Sequence, residues 1–324
     1  MDSYAGWLVP PLAGAGTLAV SMPDLRRAYA LAREVVQRGQ DLLGSSAGHR
    51  LVWVRAASRR SAEPFRQAVL FARPEVYLVA GQHEQCGLRI DDPTVALRHL
   101  LIRSVVAPSG GSVLRILDLH TGVGFRLSDG SLQTSVVAEG PVALGFGESA
   151  LVALPPERPD DQLPRELPAP ELAPPGVDPG AELGPYRRNA RPNRMSLITL
   201  MPRLVMLGEP VPLSRPTGGM RWEISLTRDQ RRATVTVSEG DLVGGVLIGR
   251  SEACHAEALR RVTDRGTSRA HLLLVREGPD VFAYDLASTQ GTFQHRRPIR
   301  RLGLGDRADL VLGRVVELAW RRVA

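Results

Sequence analysis

Lysine is absent from the 324 residues; all 41 basic side chains are arginine. That bias fits a GC-rich genome, and a bacterial source is the expectation it raises. Cysteine is scarce. Cys86 and Cys254 are the only two, which excludes a disulfide framework and predicts two buried thiols in a reducing cytoplasm. Aromatic residues make up only 5%, too few for a surface built to stack nucleobases. No stretch approaches the roughly 18 uninterrupted apolar residues of a membrane span, so no membrane insertion is expected. The first twenty residues lack a basic start and are broken by two prolines, which argues against a signal peptide. What is present is ordinary for a globular chain: 43% hydrophobic and 23% charged residues.

Charge and proline are unevenly distributed. The net charge is +7, yet residues 155–185 carry seven acids against Arg158 and Arg165, a net of −5, which leaves +12 on the rest. Ten of the 25 prolines fall in the same stretch. Proline removes backbone donors and like charges repel, so 155–194, including the basic RRNARPNR at 187–194, is expected to be a solvated, semi-rigid linker.

The pattern on either side of this linker is mainly β. Residues 1–47 form an N-terminal extension with a helix expected over 21–43. Ser21 and Asp24 make a capping-box pattern there, and Leu25, Tyr29, Ala32, Val35 or Val36, and Leu42 fall near one face. From 48 to 154 short apolar runs recur between Gly, Pro, Asp and Ser: LVWVRA (51–56), AVLFA (68–72), VYLVAG (76–81), HLLIRSVV (99–106), VLRILDL (113–119) and VALGF (142–146). The texture returns in 195–324, most densely over 220–324: WEISL (222–226), ATVTVS (233–238), LVGGVLIG (242–249), HLLLV (271–275), VFAYDL (281–286), LVLG (310–313) and VVELAW (315–320). Many short strands at this spacing predict a β-sandwich on each side. Outside the repeats, residues 1–47 and the apolar MSLITLMPRLVML (195–207) are each expected to cover an exposed face or edge of the neighbouring sandwich, the alternative being that one of them is a docking element for a protein partner.

The two halves are repeats. GQHEQC (81–86) parallels GRSEAC (249–254). His99 of LRHLLI parallels His271 of SRAHLLL. ILDLHTGVGF (116–125) parallels AYDLASTQGTF, and LGFGE (144–148) parallels LGLGD (302–306). The offsets are 168, 172, 167 and 158, in the same order along the chain, and they drift only by loop-sized amounts.

The second copy alone carries a constellation with chemistry. Gly249-Arg250-Ser251, Ser268-Arg269-Ala270-His271 and Ser288-Thr289-Gln290-Gly291-Thr292 all fall at strand ends, where the loops of a sandwich converge. Arg250 supplies a planar charged fork, Ser268 and Thr289 supply hydroxyls, and turn amides can add donors, which suits a dianionic phosphate. The three blocks, with the closing Gly305-Asp306 and Gly313, resemble the forkhead-associated (FHA) domain, a β-sandwich that reads phosphothreonine. The resemblance covers about 220–324. It implies that Arg250, Ser251, Ser268, Arg269, Thr289 and Gln290 hold a phosphopeptide, with Gly249, His271 and Gly291 supporting them. Gln290 stands where the family has Asn, one methylene longer than the amide that bonds the ligand's backbone.

In the first copy Gln82 and Ala96 replace Arg250 and Ser268, and Thr121-Gly122-Val123-Gly124-Phe125 replaces the last block. This copy is expected to be a degenerate FHA-like sandwich. No phosphate loop, metal motif or nucleophile motif occurs, so neither an enzyme nor a cofactor or metal is expected. The resemblance implies a cytoplasmic adaptor for a Thr-phosphorylated protein, a Ser/Thr protein kinase or its substrate, with a second, phosphate-independent protein partner on the N-terminal half. A phosphate-independent scaffold in an assembly such as secretion machinery is the alternative, and nucleic-acid binding is the least supported.

Overall fold

The computed structural model describes residues 24–43, 48–55, 63–71, 76–92, 94–106, 112–119, 124–156, 163–168, 170–172, 196–200, 220–251, 254 and 256–323. These form four sheets and three helices. In each half a six-stranded sheet faces a second sheet across an apolar core. The first half's six-stranded sheet runs Glu63–Phe71, Gly48–Arg55, Ser149–Leu154, Val142–Phe146, Phe125–Arg126, Leu132–Gln133. The second half's runs Arg231–Ser238, Arg221–Arg228, Val316–Val323, Arg307–Leu312, Thr292–Gln294, Arg297–Ile299. Sequence position by sequence position, the two orders are the same. The facing sheets agree as well. Ser135–Glu139, Ser112–Asp118, Leu100–Val106 and Tyr77–Gly81 lie in one, and Arg301–Gly303, Asp280–Asp285, Leu272–Glu277 and Val246–Ile248 stand in the same order in the other.

Side-chain alternation explains why so many strands read as continuous apolar runs. Along Gly48–Arg55, Leu51 and Trp53 point into the sandwich core, while Val52 and Val54 point out. The outward pair, with Ala143, Ala150, Val152 and Leu154, is covered by the helix Leu25–Leu43 through Leu25, Ala28, Tyr29, Ala32 and Val36. A strand buried on both faces has no polar side to show. The helix starts three positions later than the capping-box pattern implied: the Asp24 carboxylate accepts from the amides of Arg26 and Arg27 and is itself the cap. Ser21 lies outside the described residues.

The first half's second sheet is buried on both faces too, and what covers it is the other half. Val79, Leu101, Leu117 and Leu119 on its outer face pack with Leu247, Leu273, Val275, Tyr284 and Leu286. Cys86 and Cys254 belong to this cluster, so both thiols are buried as expected. Burial pushes the Cys86 thiol up to about 11 and Cys254 to about 12, which keeps both protonated and poor nucleophiles. The layers therefore stack as helix, sheet, sheet, sheet, sheet. A polar cluster crosses the same interface. Glu277 takes Arg103 in an ion pair, lies 3.3 Å from Arg301 and 3.9 Å from Arg115, and accepts from the Tyr284 hydroxyl at 2.7 Å. Tyr284 also accepts from Arg103 and Arg301 at 2.5 and 2.9 Å. Tyr77 meets its ring edge-on, with centroids 5.1 Å apart.

Three local expectations are corrected. The run 242–249 is not one strand: the helix Glu239–Gly244 occupies its start, and only Val246–Ile248 is strand. Ser238 and Asp241 complete a capping box there, and Gly245 at φ 83° ends the helix. The linker is not solvated throughout. The Pro164 carbonyl accepts from Tyr29 Oη and Arg33 Nη1, Leu163 and Leu167 pack on the helix cluster, and Pro170–Leu172 is a short strand. Ser196–Leu200, expected with the second sandwich, instead pairs with Ser135–Glu139 of the first. An unpaired sheet edge is satisfied by the nearest strand-forming segment, whichever side of the linker supplies it. Residues 187–194 lie outside the described residues.

Candidate functional site

The end of the second sandwich is built from three loops that hold one another by backbone. The Arg250 amide donates to the Ser268 carbonyl at 3.2 Å and the Ser251 amide to that of Arg269 at 3.1 Å, locking the first loop to the second. Gly249 is required at that crossing, because a Cβ there would run into the Arg269 carbonyl oxygen. The Thr289 amide donates to Ser268 Oγ at 3.0 Å and ties in the third loop. Arg250, Arg269, Thr289 and Gln290 are exposed, while Ser268 is almost fully buried. Arg250 Nε donates to the Thr267 carbonyl at 3.0 Å. Its Nη atoms extend beyond that anchor on a fork whose direction the bond sets.

His271 is the internal brace. Its Nδ1 accepts from the Ser268 amide at 3.0 Å and its Nε2 faces the Gly291 carbonyl at 3.1 Å, which is the neutral tautomer with Nε2 donating. Burial, ahead of the opposing influence of Asp285, holds its pKa below the ordinary value and favours that neutral form. Gly291 adopts φ 78°, a turn a side chain resists.

Sequence reasoning missed Asp285 as a site-forming residue. Its carboxylate is buried and accepts from the Ser288 amide and hydroxyl, at 2.8 and 2.6 Å, and from Thr292 Oγ1 at 2.6 Å. One side chain thus fixes both ends of the loop that presents Thr289 and Gln290. The signal was there: an Asp three residues ahead of a Ser in a turn is the spacing of a local side-chain cap.

The first half repeats the framework without the chemistry. Gln82 and His83 amides donate to Ala96 and Leu97 carbonyls at 3.1 and 2.9 Å, and the Ala96 amide donates to His99 Nδ1 at 3.1 Å. These match the Arg250, Ser251 and Ser268 bonds one for one. The Gln82 side chain folds back onto the Asp92 and Val95 carbonyls. Leu97, at Arg269's place, is 45% exposed. Among the described residues, no group of three His, Cys, Asp or Glu could hold a metal ion, and no helix is long and apolar enough to cross a membrane.

The family comparison falls on the same region. A family model described as the FHA domain matches residues 246–318. No curated protein matches the chain. Among solved structures, the Mycobacterium tuberculosis Rv1747 FHA-1 is 20% identical, covering 32% of this chain and 98% of its own, at a TM-score of 0.27. The FhaA FHA domain complexed with the intracellular domain of Rv3910 is 30% identical, covering 31% and 99%, at 0.25. An FHA structure from a study of phosphothreonine-dependent FHA interactions is 28% identical, covering 32% and 98%, at 0.26. The strands and loops from Val246 to Leu318, with the Arg250, Ser268 and Thr289 loops at one end, are an FHA domain.

Proposed function

We propose that the second sandwich binds proteins through phosphothreonine, and that the chain is a non-enzymatic adaptor in bacterial Ser/Thr kinase signalling. Arg250 and Arg269 pair with the phosphate and the adjoining peptide, Ser251, Ser268 and Thr289 add hydroxyl and amide donors, and Gln290 contacts the ligand backbone. One observation carries the reading. An exposed arginine, anchored through its Nε to the Thr267 carbonyl, stands beside a loop that Asp285, His271 and Ser268 hold in a single geometry. Preorganised donors of this kind bind a dianion without first paying for their own ordering.

The first half offers no such donor set. Its two sheet faces are covered by the helix and by the second sandwich, so a phosphate-independent partner of this half binds at its loop end, where Leu97 is exposed. The test is binding of the whole chain to a phosphothreonine peptide library, with phosphoserine and unphosphorylated libraries and Arg250→Ala alongside. Phosphothreonine-selective binding, lost about tenfold or more in the variant, is expected for a charge-assisted hydrogen bond. Equal binding to all three libraries, unchanged in the variant, refutes the reading and favours the phosphate-independent scaffold, with the longer Gln290 as the cause.

A further inference from the structure

Three consecutive carbonyls of the loop that presents Thr289 accept hydrogen bonds from the other half of the chain, and the Gln85 amide lies within reach of a fourth. Asp285 O takes the Tyr77 hydroxyl. Leu286 O takes Arg98 Nε at 2.5 Å. Ala287 O takes Arg98 Nη2 at 2.5 Å and Nε at 3.2 Å. The Gln85 amide, with its nitrogen toward the loop, reaches Ala287 O at 3.0 Å and Ser288 O at 3.2 Å. The Tyr77 hydroxyl also lies 3.0 Å from Arg300 O, in the turn that follows the next hairpin.

The grip falls on strained backbone. Ala287 has φ 53°, in the left-handed region that a residue with a Cβ resists. Such a conformation persists only where surrounding bonds over-determine it. Inside the second sandwich the Asp285 carboxylate, two residues before Ala287, holds Ser288 and Thr292 after it. Arg98, from the first, holds the Ala287 carbonyl itself.

The repeat shows that this is a division of labour. The internal register places Gly245, Ala253 and Ala270 where the first copy has Tyr77, Gln85 and Arg98. None of the three has a donor side chain. Conversely, Gln82, Ala96 and Leu97 stand where the second copy has Arg250, Ser268 and Arg269. The copy without the phosphate-suited residues carries the donors, and the copy with them carries none.

We propose that the first sandwich is an intramolecular clamp: Tyr77, Gln85 and Arg98 set the 285–291 loop in the geometry that presents Thr289 and Gln290, so that phosphopeptide binding by the second sandwich requires the first. The binding consequence rests on the phosphothreonine reading above; the clamp on the loop does not. The three are positioning residues, and they act through backbone they hold.

The experiment uses the whole chain, with Arg98→Ala, Tyr77→Phe and Gln85→Ala, and two readouts. The first is affinity for the pooled phosphothreonine peptide library, with Arg250→Ala as the reference for lost contact. The second is amide hydrogen exchange, read at 286–291 and, as a measure of general stability, in Val316–Val323. The clamp predicts about tenfold weaker binding for Arg98→Ala and smaller losses for the other two. Exchange at 286–291 should be at least tenfold faster while Val316–Val323 is unchanged, a local effect that general destabilisation does not produce. Tyr77→Phe removes one hydroxyl and keeps the ring, so it remains informative if Arg98→Ala fails to fold. Wild-type binding with all three variants equal to wild type overturns the proposal and leaves the phosphothreonine reading intact. If the wild type binds no library, the reading fails, and loop exchange alone decides: faster exchange in the variants upholds the clamp, and unchanged exchange overturns it.

Discussion

Glu277 sits among Arg103, Arg115 and Arg301 at the seam between the sandwiches, its side chain only 12% exposed. Glu277→Gln keeps the shape and removes the charge. Arg103 and Arg115 reach it from the first half and Arg301 from the second, and all three guanidinium groups are nearly buried. Burial already holds the Arg103 pKa below its usual value, a sign that its desolvation is substantial. Removing one partner from a buried ion pair typically costs about 3–5 kcal/mol, because the opposite charge stays buried. Arg301 stacks over the Phe282 ring at 3.6 Å, and Arg115 donates to the Arg276 and Val243 carbonyls. Those contacts survive the change, so the lower end, about 3 kcal/mol, is the expectation. At about 2–4 °C per kcal/mol for a chain of this size, the thermal midpoint falls by roughly 6–12 °C. The damage is confined to the seam, since neither sandwich core contains Glu277. Unfolding followed by calorimetry should therefore separate toward two transitions, one per sandwich. A variant within 1 kcal/mol of wild type, unfolding in the same single step, would show that the Glu277 charge is not needed to join the halves.

Acid should destabilise the fold through its buried histidines. Burial lowers His49 and His99 from 6.5 to about 4. The unfolded chain takes up these protons first, so their stability contribution is complete above pH 6.5 and is lost as pH falls toward 4, on the order of 3 kcal/mol for each. Urea midpoints measured from pH 7 to 4.5 should fall steadily, and a flat profile would contradict the burial of both rings. Gly249→Ala should loosen the crossing of the Arg250 and Arg269 loops, since its Cβ meets the Arg269 carbonyl oxygen rather than a movable side-chain end. A loss above about 1 kcal/mol with weakened phosphopeptide binding is expected, and unchanged binding would show that the loops tolerate separation there.

The internal repeat was legible because framework residues recur at nearly constant spacing. Gly81 and Gly249, His99 and His271, and Asp118 and Asp285 mark the same backbone bonds in both halves. The packing of one sandwich on the other was not legible. A run such as HLLIRSVV reads as doubly buried, but nothing in it says whether a helix, a sheet or a partner covers the second face. The Tyr77, Gln85 and Arg98 bonds escaped for a related reason. They end on carbonyl oxygens, which every residue has, so the acceptor side leaves no trace in the sequence. The helix Glu239–Gly244 was misread because Leu242 and Val243 adjoin a true strand, and two glycines obscured the capping box ahead of them.

The seam joining the sandwiches is made from the same patch twice. Val79 corresponds to Leu247, Cys86 to Cys254, Leu101 to Leu273, Leu117 to Tyr284 and Leu119 to Leu286, and all ten lie in the one cluster. A surface that fits its own counterpart is the geometry of a homodimer, held here within one polypeptide. Cutting the chain between the copies would hand each fragment a self-complementary apolar face. The isolated FHA domain would then pair with itself, carrying Ala270 rather than Arg98 to its partner's loop.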